Sequence, residues 1–162
     1  TTRRALREMR LMIYRLRPAE LAELGLVGVL QRRLERVERR AGVRASLISE
    51  GVGCLSPVQE EALYYCAEEA LNNALKHANA SNVWVELSRG DRSLLLSVRD
   101  DGCGFDPDQA PVGFGLQSLC ERAAGLGGTF VVQSSPGAGT RITVCLPEDA
   151  DETPVSEELF YA

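Results

Sequence analysis

Lysine is almost missing from this chain: of 18 basic residues all but Lys76 are arginine, so a bias that replaced lysine elsewhere spared one position. Long apolar runs are missing too. Nothing approaches the eighteen or so apolar residues of a membrane span, and the arginine-rich start lacks the apolar core of a signal peptide, which together point to cytoplasmic material with no membrane contact. Cysteines are few, odd in number and scattered. Cys54, Cys66, Cys103, Cys120 and Cys145 contain no C-x-x-C pair, which speaks against a disulfide framework and a zinc site and leaves small core residues as their expected role. There is no G-x-x-x-x-G-K-[ST], so a P-loop is excluded by inspection.

The charge is unevenly spread. The net −5 arises in residues 148–162, an acidic stretch with Pro154 that reads as a flexible tail and leaves the remainder near neutrality. Residues 1–17 hold six arginines against one glutamate. No basic stripe with interleaved aromatics continues downstream, so a solvated helix face is expected there and no nucleic-acid partner.

What is present alternates between helical and strand periods. Leu6, Met9, Ile13 and Leu16 recur at spacings of three and four as the seam of a helix ended by Pro18, a seam that needs a partner helix from another copy or another segment. Leu24, Val27, Leu30, Leu34, Val37 and Ala41 predict a second helix stopped by Gly42, followed by a short strand at Val43, Ala45 and Leu47. Ser56-Pro57-Val58-Gln59 is a capping box with proline at the first helical position. The helix it opens puts Leu63, Ala67, Ala70, Ala74 and Ala78 on one stripe and Glu69, Asn73, Lys76 and His77 on the other side. Solvent would account for such a polar side, but paired Asn72 and Asn73 are poor formers in mid-helix, and local rules tend to break where function requires it. A hairpin (83–88, 94–98), a proline-rich loop (105–112), a helix opening at 113–116 and stopping at Gly127-Gly128, and a second hairpin (130–133, 142–146) complete the order. That order predicts a two-layer α/β sandwich with the helices on one face of a mixed, mostly antiparallel sheet.

Three glycine pairs remain, Gly102/Gly104, Gly113/Gly115 and Gly137/Gly139. One G-x-G is an ordinary loop, but each of these ends a strand or opens a helix, where bare N–H groups approach phosphates. Asp100 at a strand end is placed either to accept from an exocyclic amine such as adenine's or to cap its own turn. Asn73 offers an oxygen of the kind Mg²⁺ tolerates beside phosphates, and Glu69, one turn earlier, is placed to orient or deprotonate an attacking group.

In this arrangement Glu69-x-x-x-Asn73-x-x-Lys76-His77 resembles the N box, Asp100-x-Gly102-x-Gly104 the G1 box, Gly113-x-Gly115-Leu116 the G2 box, and Gly137-x-Gly139-Thr140 the last glycine motif of the GHKL (Bergerat-fold) ATPases. Leu16-Arg17-Pro18, Leu24-Gly25-Leu26, Glu121-Arg122-Ala123 and Ser135-Pro136-Gly137 look like the NarL/DesK-like class of sensor histidine kinases. The resemblance implies a phosphoacceptor and dimerisation region ending over 1–18, a catalytic and ATP-binding domain over 19–147, and a tail over 148–162. It implies ATP and Mg²⁺ as ligands: Asp100 and Thr140 on the adenine, Asn73 on Mg²⁺, Lys76 on phosphates and Glu69 as base or positioning carboxylate. Gly102, Gly104, Gly113, Gly115, Leu116 and His77 would line the nucleotide, with 105–112 as its lid. A response-regulator receiver domain and the chain's own dimerisation helices are the implied partners. The family's acceptor histidine lies on a helix preceding the one that opens this chain, and His77, inside the N box, reads as structural or phosphate-adjacent. The expectation is a domain that binds Mg-ATP without labelling itself. A serine kinase of anti-sigma factors and a non-catalytic ATP-sensing module are the rival readings; the N-terminal seam disfavours the first, and Glu69 with Asn73 disfavours the second.

Overall fold

In the computed structural model, residues 18–109 and 114–149 are described. The seam expected over 6–16, Gly113 with the end of the expected lid, and the acidic stretch from 150 lie outside them. The described elements are α1 (Ala19–Ala41), β1 (Arg44–Glu50), α2 (Pro57–Lys76), β2 (Asn82–Arg89), β3 (Ser93–Asp100), α3 (Phe114–Gly125), β4 (Thr129–Ser134) and β5 (Thr140–Pro147). The strands form one sheet in the order β1-β2-β3-β5-β4. Only β1 and β2 run parallel, a pairing that requires a crossover, and α2 provides it. The other three pairings are antiparallel, so the sheet is mixed and mostly antiparallel, as expected.

Alternation along the strands decides which face is covered. Val83, Val85 and Leu87 of β2, Leu94, Leu96 and Val98 of β3, and Ile142, Val144 and Leu146 of β5 are buried beneath the helices. The other face carries Ser46, Trp84, Arg99, Arg141 and Gln133 side by side, and none of the described helices lies on it.

Helix α2 lies at the centre and touches β2, β3, β5, α1 and α3. The stripe Leu63, Ala67, Ala70, Ala74 and Ala78 is buried, and Ala62, Cys66 and Leu71 widen it. Four alanines there let the helix axis come close to the sheet and leave a void where larger side chains would have filled it. Both hydrogen bonds of the capping box are present: Gln59 N–H donates to Ser56 Oγ at 3.2 Å and Ser56 N–H to Gln59 Oε1 at 2.9 Å. The remaining Gln59 amide protons tie the helix start to the carbonyls of Pro147 and Glu148. Replacing Ser56 with alanine should cost about 1 kcal/mol of stability, read as a lower denaturant midpoint with an unchanged slope.

Two expectations are corrected. Helix α1 is interrupted at Gly25, whose φ of 69° and ψ of 173° are outside the helical region. The break shifts the phase, so Leu21, Leu26, Val29, Leu30, Leu34 and Val37 are buried while Leu24 is exposed and Val27 only half-buried. The cysteines also divide. Cys66 alone is fully buried, and burial pushes its thiol up to about 12; Cys54, Cys103 and Cys120 are exposed on loops and on the outer side of α3.

Candidate functional site

A cleft of about 410 Å³ opens between α2, the ends of β3 and β5, and the start of α3. Glu69, Asn73 and His77 sit one helical turn apart and line it, with Ala70 and Ala78 beside them leaving the room. Lys76 points away from them: it is exposed and does not line the cleft. The two asparagines part in the same way. Asn73 faces the cleft, whereas Asn72 Oδ1 accepts from Arg33 Nη2 at 3.4 Å, beside the Arg33–Glu68 ion pair of 3.0 Å that joins α1 to α2.

Across the cleft, Asp100 ends β3 with a relative exposure of only 6%, paired in register with Val83 on one side and Thr140 on the other. Gly102 N–H donates to its Oδ1 at 2.8 Å. Burial raises the Asp100 pKa, while the backbones of Gly102 and Thr140 pull it down and the nearby Asp101 raises it further. Its neighbour does a different job. Asp101 accepts from the backbone N–H groups of Ser81 and Asn82 at 2.8 Å each and from Asn82 Nδ2 at 2.6 Å, bonds that hold its carboxyl below the usual range. Val98 and Ile142, paired two residues further from the strand ends, form an apolar floor with Leu116 nearby.

The glycines bring loops together as much as they bare the backbone. Gly102 is buried, its N–H is already on Asp100, and a Cβ there would collide with Ala78, so it acts through packing and does not line the cleft. Gly104, at a φ of 60°, packs on the carbonyl of Ser135, and Gly139, at 74°, on the carbonyl of Asp100. Gly137 N–H donates to the Cys103 carbonyl at 2.6 Å and Cys103 N–H to that of Ala78 at 2.8 Å. At the start of α3, Gly115 packs against the Glu69 carboxylate, and a side chain in its place would have to push that carboxylate aside. That contact brings Glu69 to a helix N-terminus, where unpaired N–H groups favour negative charge.

Ser134 is a residue that spacing did not single out. Its hydroxyl donates to the Gly139 carbonyl at 3.0 Å and accepts from Phe105 N–H at 2.9 Å. With that hydrogen used, the 2.9 Å contact to Thr140 must be donated by Thr140, whose Oγ1 keeps acceptor capacity. The register Ser134↔Thr140 was the available signal, and it depends on strand pairing that the sequence does not reveal. Chemically, the cleft joins an apolar slot ending in a buried carboxyl to a polar wall of Asn73, Glu69 and a helix N-terminus. Such a site suits a flat heterocycle with a hydrogen-bond donor at one end and an anionic group at the other.

Comparison with known proteins agrees with this geometry. Residues 58–150 match the family described as histidine kinase-, DNA gyrase B-, and HSP90-like ATPase. An uncharacterized sensor-like histidine kinase of Chloroflexus aurantiacus is 37% identical over 153 residues, covering 86% of this chain and 25% of that protein. The signal transduction histidine-protein kinase/phosphatase UhpB of Salmonella typhimurium is 35% identical, over 86% of this chain and 28% of its own. DegS of Brevibacillus brevis, of the same description, is 34% identical over 91% and 39%. The chain thus spans about a quarter to two fifths of the length of these relatives. Among solved structures, the histidine kinase domain of the Erythrobacter litoralis EL346 blue-light activated kinase superposes with a TM-score of 0.63 at 23% identity, covering 79% of this chain and 66% of that one. The mycobacterial sensor histidine kinase MprB gives 0.60 at 23%, over 78% and 96%. These two similarities establish the sandwich fold.

Proposed function

Since the chain belongs to the histidine kinase-, DNA gyrase B-, and HSP90-like ATPase family, we propose that it is the ATP-binding and catalytic domain of a two-component sensor histidine kinase. The observation that carries the reading is the convergence of Asp100, Thr140, Asn73 and Glu69, from three separate elements of the chain, on one cleft. Adenine would lie on Val98 and Ile142 with its amino group donating to the Asp100 carboxylate and Thr140 Oγ1 beside it. The phosphates would extend towards Asn73 and the α3 N-terminus, with His77 and Gly104 at the edge and Lys76 able to swing in only from outside the cleft.

Mg²⁺ fits this donor set. Among the described residues there is no cluster of three His, Cys, Asp or Glu side chains for a dedicated cage, and Mg²⁺ typically keeps several waters and takes phosphate oxygens besides one or two protein ligands. Asn73 Oδ1 would be such a ligand, and the ion would neutralise phosphate charge. Phosphoryl transfer would form a bond from phosphorus to an imidazole nitrogen of the acceptor histidine while the bond to the leaving oxygen breaks, the electron pair departing with ADP. Glu69 would orient that imidazole and take its N–H proton. The acceptor histidine, on the dimerisation helices, would then donate to an aspartate of a response-regulator receiver domain, in the cytoplasm.

Titration with a non-hydrolysable ATP analogue tests the reading directly. Binding strengthened by Mg²⁺ is expected, and Asn73→Ala should remove most of that gain while leaving metal-free affinity within about twofold. An unmodified protein that fails to bind the analogue at millimolar concentration would refute the proposal.

A further inference from the structure

The face of the sheet away from the helices carries a charge arrangement that the nucleotide cleft does not use. Arg99 of β3 and Arg141 of β5 are directly opposite one another, both exposed, and like charges in such a pair repel. Among the described residues neither makes an ion pair, and Arg99 instead lies 5.1 Å from the centroid of the Trp84 ring. Among the described residues, Glu50 and Glu86 are the acids on that face; they sit toward β1 and form no ion pair with either arginine. Ile48 and Val131, two of the three large exposed apolar residues among those described, belong to the same face. Beside the arginines is a hollow of about 470 Å³, bordered by Gln133, Ala138 and Pro107.

The chain itself contains a segment of the opposite character. Residues 150–162 include Asp151, Glu152, Glu157 and Glu158 and no base, followed by Leu159, Phe160 and Tyr161. The chain leaves β5 through a turn at Glu148 and Asp149, and the helix side there is already occupied by Gln59. From Pro147 back to Arg141 is about 20 Å along the strand. The stretch from Asp149 to Glu157 can span about 26 Å. Reach, charge and the apolar stretch 159–161 therefore agree on one occupant.

We infer that the acidic segment 150–162 docks on the open face of the sheet, with Glu157 and Glu158 at Arg99 and Arg141 and the Leu159-Phe160-Tyr161 end beside Trp84 and the hollow. Pro107 borders that hollow and follows Phe105 of the cleft wall, so docking would steady the loop at the mouth of the nucleotide site. This consequence rests on the proposed function; the docking does not.

Trp84 is the only tryptophan, so its emission reports on the face directly. Ending the chain at Asp149, or raising salt to about 0.5 M, should shift that emission, since exposed charge pairs are screened. A synthetic peptide of residues 150–162 added to the shortened protein should restore it saturably. Arg99→Glu with Arg141→Glu should weaken the peptide at least tenfold, and a Glu157→Arg, Glu158→Arg peptide should recover binding to that variant. Unfolding curves verify that the variants fold. A peptide that leaves Trp84 unchanged, or binds equally to the charge-reversed face, overturns the inference. So does a shortened protein whose face instead pairs with a second copy or with phosphatidylglycerol vesicles while ignoring the peptide. ATP-analogue binding measured in parallel separates the two proposals: its loss with intact docking sinks the nucleotide reading alone.

Discussion

Asp100→Asn should lower the affinity for ATP by about ten- to a hundredfold, the range given by one hydrogen bond to a charged acceptor at about 1.5–3 kcal/mol. The substitution preserves volume, and the asparagine oxygen can still accept from Gly102 N–H, so the turn survives. What changes is the side facing the cleft, where an amide NH₂ meets the amino group of adenine, donor against donor. Acidity gives an independent check. The ionised carboxylate is a much stronger acceptor than the protonated acid, and burial raises its pKa, so affinity in the parent protein should be full at neutral pH and decline as pH falls through that raised value. Decline should therefore begin at a higher pH than for an exposed aspartate. The Asn variant should be weak and should keep only the pH dependence that the nucleotide's own phosphates impose on both proteins, so the difference between the two isolates Asp100. Calorimetric titration from about pH 7.5 to about pH 5 measures both, and an Asn variant that binds ATP as tightly as the parent would dissociate Asp100 from the base.

Glu69→Gln should reduce phosphoryl transfer to the acceptor histidine about 10²- to 10⁴-fold, the usual contribution of a positioned acid or base. ATP affinity should change less than about threefold, because Glu69 lies against Gly115 at the start of α3 and not beside Asp100. The separation of rate from affinity identifies the role, since a group that merely shaped the nucleotide pocket would move both. Gln has nearly the shape of Glu and retains the packing against Gly115. A single-turnover assay with γ-labelled ATP and the isolated dimerisation helices as acceptor reads the rate; transfer at the parental rate would remove Glu69 from the chemistry.

Neighbouring residues in the sequence turned out to serve different ends. Asn72 and Asn73 read as one polar pair, yet the helical turn sends one to Arg33 and the other to the cleft. Asp100 and Asp101 likewise point to opposite faces of a strand end, one buried, the other exposed and bonded to Ser81 and Asn82. Lys76, next to His77, lies outside the lining that His77 joins. A period of 3.6 or 2 predicts such divergence, but which face is covered depends on what packs there. Gly25 shows the limit in another form, because one residue with positive φ rephases the helix seam around it.

The sequence alone determined the order of elements, the capped start of the central helix, the mixed sheet and the glycine-rich turns, because these follow from short-range periodicity, capping chemistry and glycine's freedom at positive φ. Tertiary structure decided which polar groups meet. Strand register put Thr140 against Asp100, Ser134 against Thr140, and Arg99 against Arg141. Loop packing spent the Gly102 N–H on Asp100 and brought Gly115 onto Glu69. Most of those partners are far apart along the chain, and their meeting is set by burial of the shared core beneath α2, a cooperative property of the whole sheet that no local stretch encodes.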